Sequence, residues 1–210
     1  MTTTDAVLLP TQAQIEALYS GSVGDDYVKR NPTPNQLREP FWRAVLEETG
    51  AQSVLEVGCG IGSNLSHMLH VPTLYGVDVH QPSLDRAREN TQGKAKLYKG
   101  SATALPFPQR SIELVITSGL LIHIAQDALP RVVKEIGRVS SQYVLLVEYM
   151  DSHRRVIPWH GHNGILFADV FGLTFWRHNS NYTPVWKRHL TKAQGFDRTE
   201  AVLYRRREGM

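Results

Sequence analysis

Short apolar runs alternate with amphipathic segments between residues 53 and 150. The runs are rich in β-branched residues, which predicts buried strands. They occupy residues 53–58, 73–80, 94–100, 112–119 and 142–150. One helix is predicted to begin within residues 63–70, and two more helices are predicted over 82–91 and 127–140. Strands and helices that alternate through short connections predict a parallel, doubly wound sheet covered by helices.

The first 50 residues follow a different pattern and predict a helical segment before the sheet. Residues 11–20 predict a short helix with Thr11 as its N-cap. The stretch 21–36 is rich in Gly, Pro, Asp and Asn, so it predicts loops and turns. A second helix is predicted over 40–49, because a proline opens it and a glycine follows it. Its buried face would consist of Phe41, Val45 and Leu46.

The last 60 residues predict one helix and two closing strands. An aromatic, histidine-rich loop begins at residue 157, and a helical pattern follows it. The segments 185–190 and 200–207 predict an antiparallel pair at the edge of the sheet. The fold class predicted is therefore α/β, with a doubly wound, mostly parallel sheet of seven strands.

Composition narrows the function classes. The single cysteine, Cys59, excludes a disulfide framework and a cysteine-based zinc site. No apolar stretch approaches the ~20 residues of a membrane span, and the N-terminus lacks the features of a signal peptide, so we expect a cytoplasmic protein. Ten of the 23 lysines and arginines lie in the last 60 residues, against five of the 20 acids. A basic tail without a dense basic stripe does not favour nucleic-acid binding.

The strongest local motif is VLEVGCGIGSNL at residues 54–65, where a strand ends in a glycine loop. Glycines at this point let the backbone approach a ligand closely. The three glycines are Gly58, Gly60 and Gly62. Asp78 lies 20 residues after the first of them, at the end of the second strand, where a carboxylate can hold the hydroxyls of a ribose. The motif predicts a nucleoside-binding site.

The loop departs from the dinucleotide fingerprint, because Ser63 stands where a third spaced glycine would fall. Glu56 precedes the loop, and its negative charge suits a cationic amine better than a pyrophosphate. The loop resembles motif I of the class I methyltransferases. The resemblance implies a Rossmann-like fold and S-adenosylmethionine (SAM) as cofactor, with NAD(P) as the disfavoured alternative.

Downstream residues resemble the same family. Ser101 and Ala102 fall where the family places an adenine-binding Asp-Ala pair, so the contact to the adenine amine must come from the serine hydroxyl or from elsewhere. Thr117 and Ser118 end the fourth strand, where the resemblance implies the methionine part of SAM. Blocks at 24–31, 120–124, 148–149 and 160–167 resemble, more narrowly, the pseudaminic acid biosynthesis-associated methylases.

The resemblance also implies that residues 1–50 form a lid over a SAM-binding domain at 51–210. Within the lid, Tyr27 could stack near the sulfonium, and Arg30 could pair with the methionine carboxylate. His123 follows the fourth strand, where many small-molecule methyltransferases hold a histidine near the acceptor. It is a candidate general base, with a buried structural role as the alternative.

The end of the fifth strand is a second cluster of candidates. Tyr149, His153 and His160 are predicted at the carboxyl edge of the sheet, where ligands bind in this architecture. Trp159 and Asn163 accompany them. A His-x-His pair with a nearby carboxylate could bind a metal, but a polar pocket for a substrate is favoured and no metal is expected.

Three functions remain open at this stage. The first is methyl transfer to nitrogen or oxygen of a small polar metabolite. The second is cyclisation of SAM itself to azetidine-2-carboxylate and methylthioadenosine, with SAM as sole substrate. The third is a SAM-binding regulator without turnover. We expect no nucleic-acid or membrane partner, and the sequence does not define the oligomeric state.

Overall fold

Five parallel strands form most of the sheet in the computed structural model, which describes residues 9–149, 151–197 and 199–207. They are β1 (Ser53–Val57), β2 (Thr73–Asp78), β3 (Ala95–Lys99), β4 (Ile112–Ser118) and β5 (Ser140–Glu148). Two short strands, β6 (Arg155–Val156) and β7 (Phe167–Ala168), pair with each other and form a small separate hairpin. The sheet is completed by β8 (Tyr182–His189) and β9 (Glu200–Arg206).

The strand order is β3-β2-β1-β4-β5-β9-β8. All pairs from β3 to β5 are parallel, whereas β9 is antiparallel to both β5 and β8. The predicted seven-stranded, mostly parallel sheet and its antiparallel closing pair are confirmed. Met150, the last residue of the predicted fifth strand, lies outside the described residues.

Six α-helices occur in the described parts of the chain. They are α1 (Gln12–Tyr19), α2 (Ser22–Arg30), α3 (Glu39–Thr49), α4 (Gln81–Asn90), α5 (Leu129–Val139) and α6 (Phe171–His178). Two large apolar clusters include residues from adjacent sheet positions, with Val115 in one and Leu114 in the other. Since successive strand residues point to opposite faces, the sheet is buried on both sides, as its continuous apolar strands predict.

The predicted helix ends near the N-terminus are confirmed. Thr11 caps α1 and forms a capping box with Gln14. Gly50 follows α3 with φ at 63°, the left-handed conformation that glycine adopts at little cost. The predicted apolar face of α3 is buried, and Trp42 adds to it.

Two local predictions are wrong. Residues 63–70 do not begin an α-helix and contain only a 3₁₀ turn at Leu65–His67. Pro72 follows closely and disfavours helical backbone before it. The predicted loop at 21–36 instead contains α2, whose Val23 and Gly24 are buried against neighbouring elements. Packing of this kind outweighs a glycine-rich composition.

No helix in residues 9–149, 151–197 and 199–207 is both long and apolar enough to cross a membrane.

Candidate functional site

A cavity of roughly 860 Å³, including its open mouth, lies at the carboxyl edge of the parallel strands. The loops after β1, β2, β3 and β4 form its floor, and α1 and α2 cover it. Ligands bind at this edge in open α/β sheets. Among the predicted site residues, the lining contains Tyr27, Gly58, Gly60, Asp78, Ala102, Ser118 and His123.

The glycine loop is held against β2 by backbone hydrogen bonds. Gly58 and Cys59 both donate to the carbonyl of Val77, at 2.8 and 3.1 Å. Gly60 has φ at 50° and donates its N–H to Oδ2 of Asp78 at 2.8 Å. The loop is therefore fixed in a conformation that favours glycine and leaves its backbone beside the cavity.

Asp78 is anchored on both carboxylate oxygens. While Oδ2 accepts from the glycine loop, Oδ1 accepts from the N–H of His80 at 2.9 Å. Burial raises the pKa of this carboxyl, although the two backbone donors oppose the rise. Each carboxylate oxygen can accept a further hydrogen bond, so the side chain can still hold ligand hydroxyls.

Glu56 occupies a buried polar network next to the loop rather than the cavity wall. Its Oε1 accepts from Nδ2 of Asn64 at 2.6 Å, and Asn64 Oδ1 accepts from Arg38 and from Trp42. Oε2 has no hydrogen-bond partner among the described residues. Burial raises the pKa of Glu56 to about 8. An unpartnered buried oxygen is costly unless a ligand or water satisfies it.

The two predicted lid residues are placed differently. The ring of Tyr27 packs against Gly60, where a Cβ atom would come within 2.9 Å of it. Burial, helped by the nearby acids, raises the pKa of Tyr27 to about 12. Arg30 is exposed and lies outside the cavity lining, with its guanidinium 5.1 Å from the ring centroid of Trp159.

Helix α1 contributes residues that the sequence analysis missed. Gln12, Glu16 and Tyr19 all line the cavity. Ser101 donates its hydroxyl to Oε1 of Glu16 at 2.6 Å, and the N–H of Ala125 donates to Oε1 of Gln12 at 2.8 Å. The spacing of the three residues puts them on one face of the helix. The sequence contains this pattern, but a helix whose polar face contacts solvent would show the same pattern.

His123 lies in a 3₁₀ turn, Leu121–His123, directly after β4. Its Nδ1 is 2.6 Å from the hydroxyl of Tyr19 and 3.1 Å from the carbonyl of Ile165. A carbonyl only accepts, so its hydrogen bond requires the proton on Nδ1 and leaves Nε2 as the basic nitrogen, which lies 3.3 Å from the same Tyr19 hydroxyl. Burial lowers the pKa of His123 to about 4, so the imidazole is neutral near pH 7.

The other predicted catalytic residues lie outside the cavity lining. Tyr149 is half-buried, and burial together with the nearby Asp197 raises its pKa to about 12. His153 and His160 are exposed. His160 packs its ring edge-on to Trp159, whose indole stacks in turn 6.4 Å from Tyr19. His160 and Trp159 thus lie next to α1, outside the cavity lining.

Four predicted cofactor residues support the cavity without lining it. Gly62 has φ at 70° and lies against α4, where a Cβ atom would come within 3.0 Å of Ala87. Thr117 is buried beneath the floor. Burial raises the pKa of the neighbouring Glu148 to about 7, and the Thr117 side chain opposes this rise. Glu56 and Ser101 complete this set of supporting residues.

Within the described ranges, no three His, Cys, Asp or Glu residues are grouped closely enough to hold a metal ion.

The charge of the lining is one-sided. Glu16 and Asp78 contribute carboxylates, and the described lining residues include no lysine or arginine. A cavity of this charge favours a cationic ligand and disfavours a pyrophosphate.

Comparison with known proteins agrees with this site. Residues 54–142 match the family model described as a methyltransferase domain. No curated protein sequence matches the chain significantly.

Solved structures share the fold over nearly the whole chain. A 1,6-didemethyltoxoflavin N1-methyltransferase from Burkholderia thailandensis, with bound 1,6-didemethyltoxoflavin and S-adenosylhomocysteine, has a TM-score of 0.76 at 15% identity, covering 97% of this chain and 93% of that one. Magnesium protoporphyrin IX methyltransferase from Synechocystis PCC 6803 with bound S-adenosylhomocysteine has a TM-score of 0.70 at 14% identity, covering 93% and 99%. The [4+2]-cyclase SpnF has a TM-score of 0.66 at 15% identity, covering 95% and 97%.

At these identities the neighbours establish a shared fold. The domain match covers the glycine loop, Asp78 and the strand that follows them, which are the elements that build the cavity floor. Residues 54–142 thus match a methyltransferase domain, and the chain shares the fold of the methyltransferases among these solved structures.

Proposed function

We propose that this protein is an enzyme that binds SAM in the cavity under α1 and α2 and transfers its methyl group to a nitrogen or oxygen of a small polar metabolite. The observation that carries the proposal is the charge of the lining, two carboxylates and no lysine or arginine among the described residues. SAM is cationic at its sulfonium and ammonium groups, whereas a dinucleotide would bring its pyrophosphate towards Glu16 and Asp78.

The residues on the floor suit the nucleoside part. Asp78 would accept from the ribose hydroxyls, because both its oxygens keep accepting capacity while Gly60 and His80 fix their position. The backbone of Gly58 and Ser118 would contact the amino-acid part. Glu56, Gly62, Ser101 and Thr117 would hold this floor in shape, and Arg30 would contact the ligand only if the lid moves inward.

His123 is the proposed acceptor-side group. SAM supplies an already activated methyl group, so the protein needs chiefly to align a nucleophile and exclude water. The neutral imidazole offers Nε2 as a hydrogen-bond acceptor for a hydroxyl or amine, and Tyr19 with Ile165 holds the ring through Nδ1. Tyr149, His153 and His160 are proposed as outer contacts to the acceptor.

The N-terminal segment, residues 1–50, is proposed as a lid. Its described helices α1 and α2 cover the cavity through residues that the floor contacts directly, including Gln12, Glu16 and Tyr27. Movement of this segment would open the cavity further for ligand exchange.

Cyclisation of SAM to azetidine-2-carboxylate is the second candidate, since an enclosed cavity could also bend SAM upon itself. A structural neighbour with the same fold is a cyclase by name. The third candidate is a SAM-binding regulator without turnover.

Mass spectrometry after incubation with SAM alone, and then with pooled small amines, carboxylic acids and alcohols, separates these functions. Methyl transfer predicts no turnover until an acceptor is added, followed by S-adenosylhomocysteine and a product heavier by one methylene. Methylthioadenosine formed from SAM alone would indicate cyclisation. SAM binding without either product in any pool would favour the regulator.

A further inference from the structure

The two ends of the cavity differ in character. Near β3 the cavity has an apolar surface, formed by Val79 and Ala102 on the floor and Ile15 in the lid. Near β4 the lining includes the polar side chains of Ser118 and His123 beside the apolar Leu120 and Ile124. Resting on the proposed function, a ribose at Asp78 and a reacting methyl group near His123 leave the apolar end for the flat base.

Glu16 lies at this apolar end. Its Oε1 already accepts from the Ser101 hydroxyl at 2.6 Å and from Nε2 of Gln12 at 3.1 Å, which fixes the carboxylate on the inner face of α1. Oε2 receives no hydrogen bond from the described residues, and no cation of the described lining neutralises the group. The unused oxygen of this half-buried carboxylate is therefore available to a donor from a ligand.

We infer that Glu16 recognises the nucleobase of the cofactor, its Oε2 accepting an N–H from the exocyclic 6-amino group of the purine. A carboxylate accepts only, so it matches a 6-amino purine and opposes a 6-oxo purine, which presents an oxygen at the same position. The base-specific contact would then come from the lid and not from the loop after β3. Base recognition and closure of α1 would be a single event.

Isothermal titration calorimetry with S-adenosylhomocysteine and S-inosylhomocysteine tests this inference without requiring turnover. The two ligands differ at position 6 of the purine, which is amino or oxo, and at the adjacent ring nitrogen, which carries a proton only in the inosyl ligand. The native protein is expected to bind the adenosyl ligand at least about tenfold more tightly, the scale of one hydrogen bond to a charged group.

Glu16→Gln is the informative variant. Its amide oxygen can still accept from Ser101 and Gln12, whereas its amide nitrogen replaces the unused oxygen with a donor. Affinity for the adenosyl ligand should fall about tenfold and affinity for the inosyl ligand should rise, which narrows or reverses the preference. Glu47→Gln, the same change at an exposed glutamate of α3, should behave as the native protein.

Three results would count against the inference. Equal affinity of the native protein for the two ligands would overturn it, as would a Glu16→Gln variant that loses both ligands to the same degree, because the carboxylate would then act through charge alone. Failure of the native protein to bind either ligand would overturn the proposed function itself, and the inference with it.

Discussion

The hydroxyl of Tyr19 lies 2.6 Å from Nδ1 of His123, so the first helix of the chain contacts the turn after β4 inside the cavity. The same nitrogen lies 3.1 Å from the carbonyl of Ile165. Three stretches of chain that are distant in sequence therefore meet at one imidazole. The orientation of His123 depends on α1 being in place.

Removal of the Tyr19 hydroxyl tests this dependence. Tyr19→Phe keeps the ring against Trp159 but loses the contact to His123, so turnover should fall about tenfold while KM for SAM changes little. His123→Gln should lower turnover on the order of 100-fold, the usual scale for a positioned acid–base or orienting group. Steady-state kinetics with the acceptor found by mass spectrometry measures both.

Matched variants sharpen this comparison. Tyr98→Phe, an exposed tyrosine on β3, should leave turnover unchanged. His153→Ala and His160→Ala should have smaller effects than His123→Gln, because both side chains are exposed and lie outside the lining. Normal turnover of His123→Gln would place the acceptor elsewhere, and Tyr149→Phe would then be the next variant to measure.

Asp78→Ala is expected to weaken SAM binding by roughly 1–3 kcal/mol, because charge-assisted hydrogen bonds to the ribose are lost and the N–H of Gly60 loses its acceptor. Asp85→Ala on the exposed side of α4 serves as the control and should bind normally. Calorimetry with SAM and with NAD measures both affinities. Tight binding of NAD in place of SAM would contradict the cofactor assignment.

Gly60→Ala should reduce SAM affinity through two separable effects. Its φ of 50° strains any side chain, and a Cβ atom there would displace the ring of Tyr27. Gly93→Ala is a matched control, since it has φ at 70° but no atom within 4 Å of the new Cβ. We expect both variants to lose about 1 kcal/mol of stability from strain. Only Gly60→Ala should also lose affinity for SAM. Equal SAM affinities of the two variants would contradict the proposed closeness of Tyr27 to the ligand.

Ligand binding should protect α2 from hydrogen exchange. Its N-cap, Gly21, makes no side-chain capping bond, whereas Gly24 and Tyr27 face the cavity. A ligand enclosed by these residues should slow exchange of amides 24–30 when S-adenosylhomocysteine is added. Amides of α5, none of which lines the cavity, provide an internal reference. Identical exchange in α2 with and without ligand would refute the lid role.

Glu148 should make stability fall as pH rises. Burial raises its folded pKa to about 7, above the unfolded value, so the native state binds the extra proton between roughly pH 4.5 and 7. The stabilisation is complete below the unfolded pKa and is lost as pH rises through the folded one. In urea unfolding, the free energy of unfolding of the native protein should fall from pH 5 to pH 8 by on the order of 2 kcal/mol more than that of Glu148→Gln.

Difference measurements isolate this group. Glu56, whose pKa is raised, and His123, whose pKa is lowered, are present in both proteins and cancel. Parallel pH profiles for the two proteins would show that Glu148 does not titrate in this window.

Local packing decided the elements that sequence patterns predicted incorrectly. Composition at 21–36 indicates turns, yet Val23 and Gly24 are buried and stabilise α2. The segment 63–70 has helix-forming residues, yet Asn64 is committed to the buried network of Glu56 and Arg38, and only a 3₁₀ turn forms. In both cases contacts to distant residues outweigh the local preference.

The sequence by itself predicted the seven-stranded sheet, the succession of its strands along the chain, and the glycine loop and Asp78 that meet at its carboxyl edge. These features depend on residues that are close along the chain, and the strand periodicity and glycine spacing encode them directly. Only the tertiary structure brought Glu16 and Tyr19 to Ser101 and His123. A helix with a polar face has the same sequence pattern whether that face contacts solvent or lines a cavity. The periodicity determines which residues share a face, but it does not determine what that face contacts.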